Sequence, residues 1–220
     1  ETGGDFWDAF VKQDKLTIVI GDATGHGAPA AIVTAVAKSC IATLNDIYSE
    51  ENLSPEQFLN VLNQIVFNSC KGKLLMTMCI AQLDLTTGKL EISNAGHESP
   101  LWLKNSSDSK AEVLFARGER LGFDAHSKYE TIEADLSLDD VVLLYSDGIS
   151  EAPNKDGKPW GERALKKALT GSGVRPLETI RDEIVQKNLA FSEGAEQEDD
   201  ITFVLFSWRK HLEKKDAEAA

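Results

Sequence analysis

The sequence predicts an α+β fold, a layered sandwich built on antiparallel sheets. Three observations support this prediction: β-rich runs are separated by hairpin signals, two consecutive helices interrupt those runs, and no regular β-α-β alternation is present. A doubly wound sheet is the alternative.

The N-terminal third contains a predicted hairpin and two predicted helices. The β-rich runs Phe6–Val11 and Leu16–Gly21 flank the polar tetrapeptide KQDK, which is typical of a hairpin. The Ala-rich and nearly uncharged stretch Pro29–Leu44 predicts a helix that is buried on most sides. In the second helix, the segment SPEQ starting at Ser54 supplies an N-cap, a first-turn proline and a capping-box glutamine.

The remaining elements are mostly predicted strands. The tripeptide TTG at 86–88 is a hairpin signal, and Val141–Tyr145 is a continuous apolar run bounded by charges, which is typical of a buried strand. The other predicted strands are Leu75–Leu85, Lys89–Asn94, Leu101–Lys104, Ala111–Phe115, Tyr129–Ala134 and Ile201–Trp208, and further helices are predicted near Glu162–Leu169 and Pro176–Leu189. Because no linker divides the chain, we expect one domain over residues 1–208 and a charged tail over 209–220.

Composition excludes several classes of protein. The 23 Lys and Arg residues against 36 Asp and Glu residues give a net charge of −13, which argues against binding to nucleic acid or to an anionic membrane surface. The uninterrupted apolar runs are far shorter than the roughly 20 residues that span a bilayer. Cys40, Cys70 and Cys79 match neither a disulfide framework nor a zinc-ligand spacing, so we expect a soluble protein in the reducing cytoplasm.

Acidic residues stand at the boundaries of several predicted strands. Asp5 follows a Gly pair, Asp22 and Asp147 each end a strand, and Asp199 and Asp200 precede the last strand. At 4 Å and an effective dielectric near 20, each like-charge contact costs about 4 kcal/mol, so a convergent cluster would need cations or protonation. Hard divalent ions prefer such oxygen ligands. Taken singly, each Asp is equally typical of a turn or a cap.

Five motifs in order carry a family resemblance: GGDFWD, GDATGHG, NAGHESP, LYSDGISEA and EDDIT. Together they resemble the metal-dependent protein phosphatases of the protein phosphatase 2C superfamily, in the bacterial stage II sporulation E-like branch. The resemblance runs from Gly3 to about Phe206 and includes the segments RLG at 120–122 and WGERAL at 160–165.

The resemblance implies a four-layer sandwich, two antiparallel sheets face to face with helix pairs outside, and two Mn²⁺ or Mg²⁺ ions at one end. The reaction it implies is hydrolysis of a phosphoserine or phosphothreonine by a metal-activated water, without a cysteine nucleophile. By motif position, the resemblance implies that Asp22 bridges both ions. Asp5 and the Ala23 carbonyl would be ligands of one ion, and Asp147 and Asp199 would be ligands of the other. Asp200 would support the site without being a ligand.

The catalytic role of histidine stays open at this point. Eukaryotic members of the superfamily carry a candidate acid two residues after the bridging Asp, where this sequence has Thr24. His26 lies two residues further on and is either a catalytic residue or a residue that shapes the turn. His97 either supports a metal ligand from outside the ion's own ligand set, or lies at the substrate edge, or is part of the packing at a strand end. Arg117 and Arg120 are the nearest basic candidates for phosphate capture by motif order, but a surface-loop role is the favoured interpretation for both.

The resemblance also implies a biological setting. The expected partner is a phosphorylated regulatory protein of the anti-sigma-factor antagonist type, within partner switching, and the parent protein would carry an upstream sensory domain. Family members have a further strand and a leading helix before the GGD motif, so a homodimer or strand exchange could cover the sheet edge here. The alternatives are a catalytically silent phosphoprotein-binding module of the same fold and a hydrolase of small phosphoesters.

Overall fold

The computed structural model describes residues 3–47, 53–105, 110–170 and 175–209. In chain order its elements are β1 (Asp5–Lys12), β2 (Lys15–Ala23), α1 (Ala28–Ile47), α2 (Pro55–Cys70), β3 (Met76–Asp84), β4 (Lys89–Ala95), β5 (Leu101–Leu103), β6 (Ala111–Val113), β7 (Thr131–Asp135), β8 (Val141–Tyr145), α3 (Asp147–Glu151), α4 (Glu162–Leu169), α5 (Leu177–Ser192) and β9 (Phe203–Ser207). One sheet has the order β1-β2-β3-β4-β7 and the other β6-β5-β8-β9. Every strand pair in the described residues is antiparallel, which confirms the α+β prediction over the doubly wound alternative.

Three apolar clusters separate four layers. The first cluster lies between the α1–α2 pair and the five-stranded sheet, and the second lies between the two sheets. The third packs the four-stranded sheet against α4 and α5. Strand β8 shows how the layers arise, because Val142 and Leu144 belong to the middle cluster while Leu143 and Tyr145 belong to the outer one. The strand is buried on both faces, as its continuous apolar run predicts.

Helix α1 is less buried than the sequence predicts. Its buried residues form a single stripe, Ala30, Val33, Ala37, Ile41 and Leu44. Ile32 is 63% exposed and Ile47 is 68% exposed. The prediction of a helix buried on most sides is therefore wrong, because α1 lies in an outer layer and packs on α2 and the sheet with one face only.

Helix α1 is also long and apolar enough to cross a membrane by length and composition, with 20 residues and a mean hydropathy of 1.3. This is weak evidence for a membrane span, because core helices meet the same criterion. In this fold the buried stripe of α1 belongs to the cluster that covers the five-stranded sheet.

Local signals predict α2 correctly. The Ser54 side chain accepts from the Gln57 backbone, and the Gln57 side chain accepts from the Ser54 backbone N–H at 2.8 Å, so the capping box is formed. The last helix runs over Leu177–Ser192, slightly beyond its predicted end, and β9 starts at Phe203 rather than at residue 201. Residues 210–220 of the predicted tail and 106–109 of the predicted polar loop lie outside the described residues.

The short helix α3 was not predicted. Asp147 is its first residue and does not end the preceding strand, since β8 stops at Tyr145 and Ser146 is the N-cap. Five residues are too few to show a helical periodicity in sequence. The start of β1, the end of β2, the start of α3 and the segment before β9 bring the acidic residues toward one end of the sandwich.

Candidate metal centre

The β1–β2 hairpin places Asp5 directly opposite Asp22. Gly4 makes this approach close, because a Cβ at residue 4 would stand 2.5 Å from both Asp22 Oδ1 and the Ala23 carbonyl oxygen. The Gly4 carbonyl accepts from the Ala23 N–H at 3.2 Å and from Thr34 Oγ1 at 3.0 Å, which ties the hairpin to α1. Two carboxylates and one backbone carbonyl therefore occupy this corner of the five-stranded sheet.

The other acidic residues lie in segments next to strands β8 and β9 of the four-stranded sheet. Asp147 begins α3, and Asp199 and Asp200 precede β9. The two segments are in direct contact, since a Cβ on Gly148 would overlap the Asp200 carbonyl. The Asp200 side chain lies over Gly3 so closely that a Cβ there would overlap the carboxylate. The segment before β9 thus contacts both α3 and the strand end that carries Asp5.

Burial and mutual repulsion raise the pKa values of these carboxyls. The pKa of Asp22 rises to about 7, mainly through burial and then through the charges of Asp5, Asp147, Asp199 and Asp200. The pKa of Asp5 rises to about 6, again mainly through burial, although hydrogen bonds from Ser146 and Thr202 oppose the rise.

The pKa of Asp147 is raised by burial and by Asp199. The acids that the sequence singled out therefore act on one another electrostatically. A bound cation would relieve this repulsion.

The ligand set is not preassembled. Among the described residues, no three His, Cys, Asp or Glu side chains stand close enough together to form a metal-binding group. The donor chemistry nevertheless fits the predicted ions, because the carboxylates and the Ala23 carbonyl offer oxygen only, which Mg²⁺ and Mn²⁺ prefer over softer ligands. The assignment of Asp5, Asp22, Ala23, Asp147 and Asp199 as metal ligands remains a prediction.

His26 lies at the mouth of this region. It is exposed in the loop between β2 and α1, flanked by Gly25 at φ +89° and Gly27 at φ +75°. A cavity of about 140 Å³ is lined by His26, by Asp199 and Asp200, and by the chain at Gly3 and Gly4. Tertiary structure thus brings His26 to the same cavity as Asp199 and Asp200, and both its catalytic and its turn-shaping interpretation remain predictions.

Thr24 faces a structural partner. Its backbone N–H and its Oγ1 both donate to the Leu75 carbonyl, at 2.9 and 3.0 Å, and Oγ1 also lies 3.0 Å from the Leu75 N–H. These bonds hold the end of β2 beside the start of β3.

His97 lies beneath the site and does not border the 140 Å³ cavity. The side chain of Asn94 hydrogen-bonds to the backbone N–H and carbonyl of His97. The Nδ1 atom of His97 lies 2.8 Å from Thr77 Oγ1, and Thr77 Oγ1 donates to the Asp22 carbonyl at 3.4 Å. Burial lowers the pKa of His97 to about 4, so the ring is neutral at neutral pH. These contacts favour packing at the strand end over a substrate-edge role.

Two polar residues near the acids were not predicted from the sequence. The half-buried Glu98 has a pKa raised by burial and then by Asp147, Glu162 and Glu151. Ser146 is fully buried and its Oγ donates to Asp5 Oδ2 at 2.7 Å. The signal in sequence was the position of Ser146, immediately after a continuous apolar strand and before Asp147.

A family model described as "Stage II sporulation protein E (SpoIIE)" matches residues 12–209. The chain belongs to the SpoIIE family. The match contains Asp22, Asp147 and Asp199, whereas Asp5 precedes it. Family membership confirms the resemblance drawn from the five motifs.

Curated relatives carry the same domain within longer chains. Phosphoserine phosphatase RsbU of Bacillus subtilis is 24% identical over 189 residues, which cover 84% of this chain and 55% of RsbU. Protein IcfG of Synechocystis is 28% identical over 225 residues, covering 91% of this chain and 35% of IcfG. Phosphoserine phosphatase RsbP of B. subtilis is 21% identical over 213 residues, covering 93% and 49%. The chain thus spans about half the length, or less, of these relatives.

Solved structures share the fold of this SpoIIE-family chain. The SiaA-PP2C domain of Pseudomonas aeruginosa superposes with a TM-score of 0.81 at 22% identity, covering 93% of this chain and 80% of that one. The RsbU and RsbW domains of Rv1364c from Mycobacterium tuberculosis give a TM-score of 0.74 at 26% identity, covering 94% and 56%. The structure of RsbX in complex with magnesium gives a TM-score of 0.67 at 16% identity, covering 93% of this chain and 87% of the RsbX chain. These similarities confirm the predicted sandwich.

Proposed function

We propose that this chain is a metal-dependent serine/threonine protein phosphatase domain. The observation that carries the proposal is the convergence of acids from both sheets: Asp5 and Asp22 meet in one hairpin, and Asp147 and Asp199 approach from the other sheet. Asp5, Asp22 and Asp147 are half-buried, and a concentration of repelling carboxylates of this kind is costly without cations. The names of RsbU and RsbP, both phosphoserine phosphatases, support the same activity.

The oxygen donors have distinct places in the proposed site. Asp22 would bridge two Mn²⁺ or Mg²⁺ ions, Asp5 and the Ala23 carbonyl would hold one, and Asp147 and Asp199 the other. Two such ions supply a water of lowered pKa and offset charge on phosphoryl oxygens. Gly4 keeps the Ala23 carbonyl and the Asp22 carboxylate uncovered, because any side chain there would collide with both.

The cysteines do not suit a nucleophilic role. Cys79 is fully buried, and burial raises its thiol pKa far above neutrality. The thiol pKa of Cys40 is also raised by burial, and Cys70, the last residue of α2, is partly buried against the apolar cluster between the helix pair and the sheet. A thiol that stays protonated is a poor nucleophile. Water is therefore the attacking group in our proposal, and His26, which lines the 140 Å³ cavity, would protonate the leaving oxygen.

We also propose the setting. The substrate would be a phosphorylated regulatory protein of the anti-sigma-factor antagonist type. A longer parent protein, cytoplasmic or membrane-tethered, would contain a sensory domain and would dimerise through this chain. The name of the Rv1364c structure, which joins an RsbU domain to an RsbW domain, supports partner switching. A second cavity of about 360 Å³ borders Asp199 and is lined by Glu151, Glu196 and Glu198, so a substrate would approach with a basic face.

One assay tests the proposed activity. Phosphate release is measured from a phosphoserine peptide, a nucleotide and a sugar phosphate, each with Mn²⁺, with Mg²⁺ and with chelator. We expect metal-dependent release from the peptide alone, and faster release when Lys rather than Glu flanks the phosphoserine. Release from the small phosphoesters alone would favour the small-phosphoester hydrolase. No release with any ion, together with retained binding of the phosphopeptide, would favour the silent module.

A further inference from the structure

Ser146 connects the two sheets at the proposed metal centre. Its side chain is fully buried and belongs to the junction between β8 and α3. Its Oγ lies 2.7 Å from Asp5 Oδ2, although the two residues are 141 positions apart in sequence. Asp5 belongs to the five-stranded sheet, whereas Ser146 directly precedes Asp147 and follows a strand of the four-stranded sheet. This contact therefore joins the two halves of the acidic cluster.

The hydroxyl proton of Ser146 has one favoured acceptor. Oγ stands 3.3 Å from the Thr202 carbonyl and 3.5 Å from the Asp200 carbonyl, but the Asp5 carboxylate is closer and carries charge. Oγ in turn accepts from the Thr202 N–H at 3.1 Å. With its acceptor side engaged by Thr202, the hydroxyl is oriented to donate to Asp5.

The backbone of Ser146 is held as firmly as its side chain. Its N–H donates to the Thr202 carbonyl at 2.9 Å, one residue beyond the last β8–β9 pair. The side chain also has no exposed surface. The donor aimed at Asp5 is thus positioned by the sheet itself.

We propose that Ser146 is a positioning residue for the metal centre. It would hold the Asp5 carboxylate in the orientation needed for the ion that Asp5 shares with Asp22 and the Ala23 carbonyl. This inference rests on the proposed two-ion site. Outer partners of metal-ligating groups typically contribute 10- to 100-fold to metal affinity. Loss of the hydroxyl should therefore weaken the binding of one ion more than the binding of the other.

The test is a titration of the metal-free chain with Mn²⁺, in which free Mn²⁺ is counted by electron paramagnetic resonance. We expect two sites in the parent chain. In Ser146→Ala, one dissociation constant should rise at least tenfold while the other changes less than threefold. Ser146→Thr retains a hydroxyl and should restore the weakened site at least in part, a rescue that a purely steric role would not give.

Ser93→Ala is the matched control. Ser93 is also fully buried, and its hydroxyl contacts Thr131 Oγ1 at 2.8 Å, between β4 and β7. We expect this variant to lose stability without a change in either Mn²⁺ dissociation constant. Equal Mn²⁺ affinities in Ser146→Ala and the parent would overturn the inference.

A double-mutant cycle with Asp5→Asn separates action through Asp5 from a general loss of structure. If Ser146 acts through Asp5, Ser146→Ala should change Mn²⁺ affinity less than threefold in the Asp5→Asn background. An undiminished effect there would overturn the inference. If Ser146→Ala does not fold, Ser146→Cys, with a weak S–H donor, takes its place and should weaken the same site. A parent chain that binds no Mn²⁺ would instead overturn the proposed metal site itself.

Discussion

Gly148, in the first turn of α3, lies against the backbone carbonyl of Asp200, and a methyl group at residue 148 would overlap that oxygen. The contact joins the helix that begins with Asp147 to the segment that carries Asp199. This contact therefore limits how closely Asp147 and Asp199 approach each other.

Gly148→Ala should separate the two segments. Overpacking typically costs about 1–3 kcal/mol in the free energy of unfolding. We expect a loss of this size in urea unfolding, together with weaker Mn²⁺ binding, because Asp147 and Asp199 would be displaced relative to each other. Glu151→Ala, at an exposed position of the same helix, should change neither measurement. Unchanged stability in Gly148→Ala would show that the segments are free to separate.

Divalent metal should stabilise the fold, because the ions bind the folded chain and not the unfolded one. At a metal concentration a hundredfold above the dissociation constant, the gain in unfolding free energy is about 2.7 kcal/mol. We expect a clear rise in Tm with Mn²⁺ that chelator reverses, measured by differential scanning calorimetry. Identical melting curves with and without Mn²⁺ would contradict the proposed centre.

The stability of the metal-free chain should depend on pH through Asp22. Its pKa of about 7 in the folded state lies above the value of 3.8 expected for the unfolded chain. The folded state then binds more protons between these values, so the contribution of Asp22 to stability is present below about pH 4 and is lost as the pH rises toward 7. Asp5, at about 6, acts in the same direction.

Comparison with Asp22→Asn isolates this contribution. His97, whose pKa is lowered to about 4, acts in the opposite direction over the same pH range and is present in both proteins. The unfolding free energy of the parent minus that of Asp22→Asn should fall between pH 4 and pH 7 in metal-free buffer. Asp156→Asn, at an exposed turn residue, is the control for loss of a carboxylate away from the site. A difference for Asp22→Asn that does not change with pH would contradict the prediction.

Three substitutions at the site should have unequal effects on phosphatase activity. Asp22→Asn should reduce activity to background, because the proposed bridging ligand holds both ions. Asp199→Asn should lower the affinity for mainly one of the two ions. A high Mn²⁺ concentration should therefore recover part of the activity by mass action. Steady-state kinetics against Mn²⁺ concentration checks the ranking, which a folded and fully active Asp22→Asn variant would refute.

His26→Ala distinguishes the two interpretations of the histidine. Loss of a general acid typically costs about 10² to 10⁴ in rate, whereas a turn-shaping role should cost stability with a modest change in turnover. The proposed acid role predicts a large fall in kcat with a Tm close to the parent value. A lowered Tm with kcat within tenfold of the parent would assign His26 to the turn.

Replacement of Cys40, Cys70 and Cys79 by Ser or Ala should leave turnover near the parent value, because water is the proposed nucleophile. Some stability should be lost, most of all at the fully buried Cys79. The measurements are kcat and urea unfolding on the same samples. A thousandfold loss of turnover from one folded cysteine variant would contradict attack by water.

The sequence by itself determined the elements whose signals are local. The Ser54 capping box, the hairpin turn at residues 86–88 and the apolar run Val141–Tyr145 each depend on neighbours a few residues away, and each element forms where predicted. The order of five motifs also sufficed to identify the family, because motif order is a property of the chain and needs no geometry.

Only the tertiary structure decided how distant residues meet. Which face of α1 is buried depends on the layer that it joins, and the short α3 is stabilised by contacts that its five residues do not encode. Ser146 and Asp5 are brought together by two different sheets, so no spacing in the sequence could reveal their 2.7 Å contact. The sequence motifs were enough to predict which acidic residues belong to the site. Long-range packing determined which hydrogen bonds and charges surround each of them.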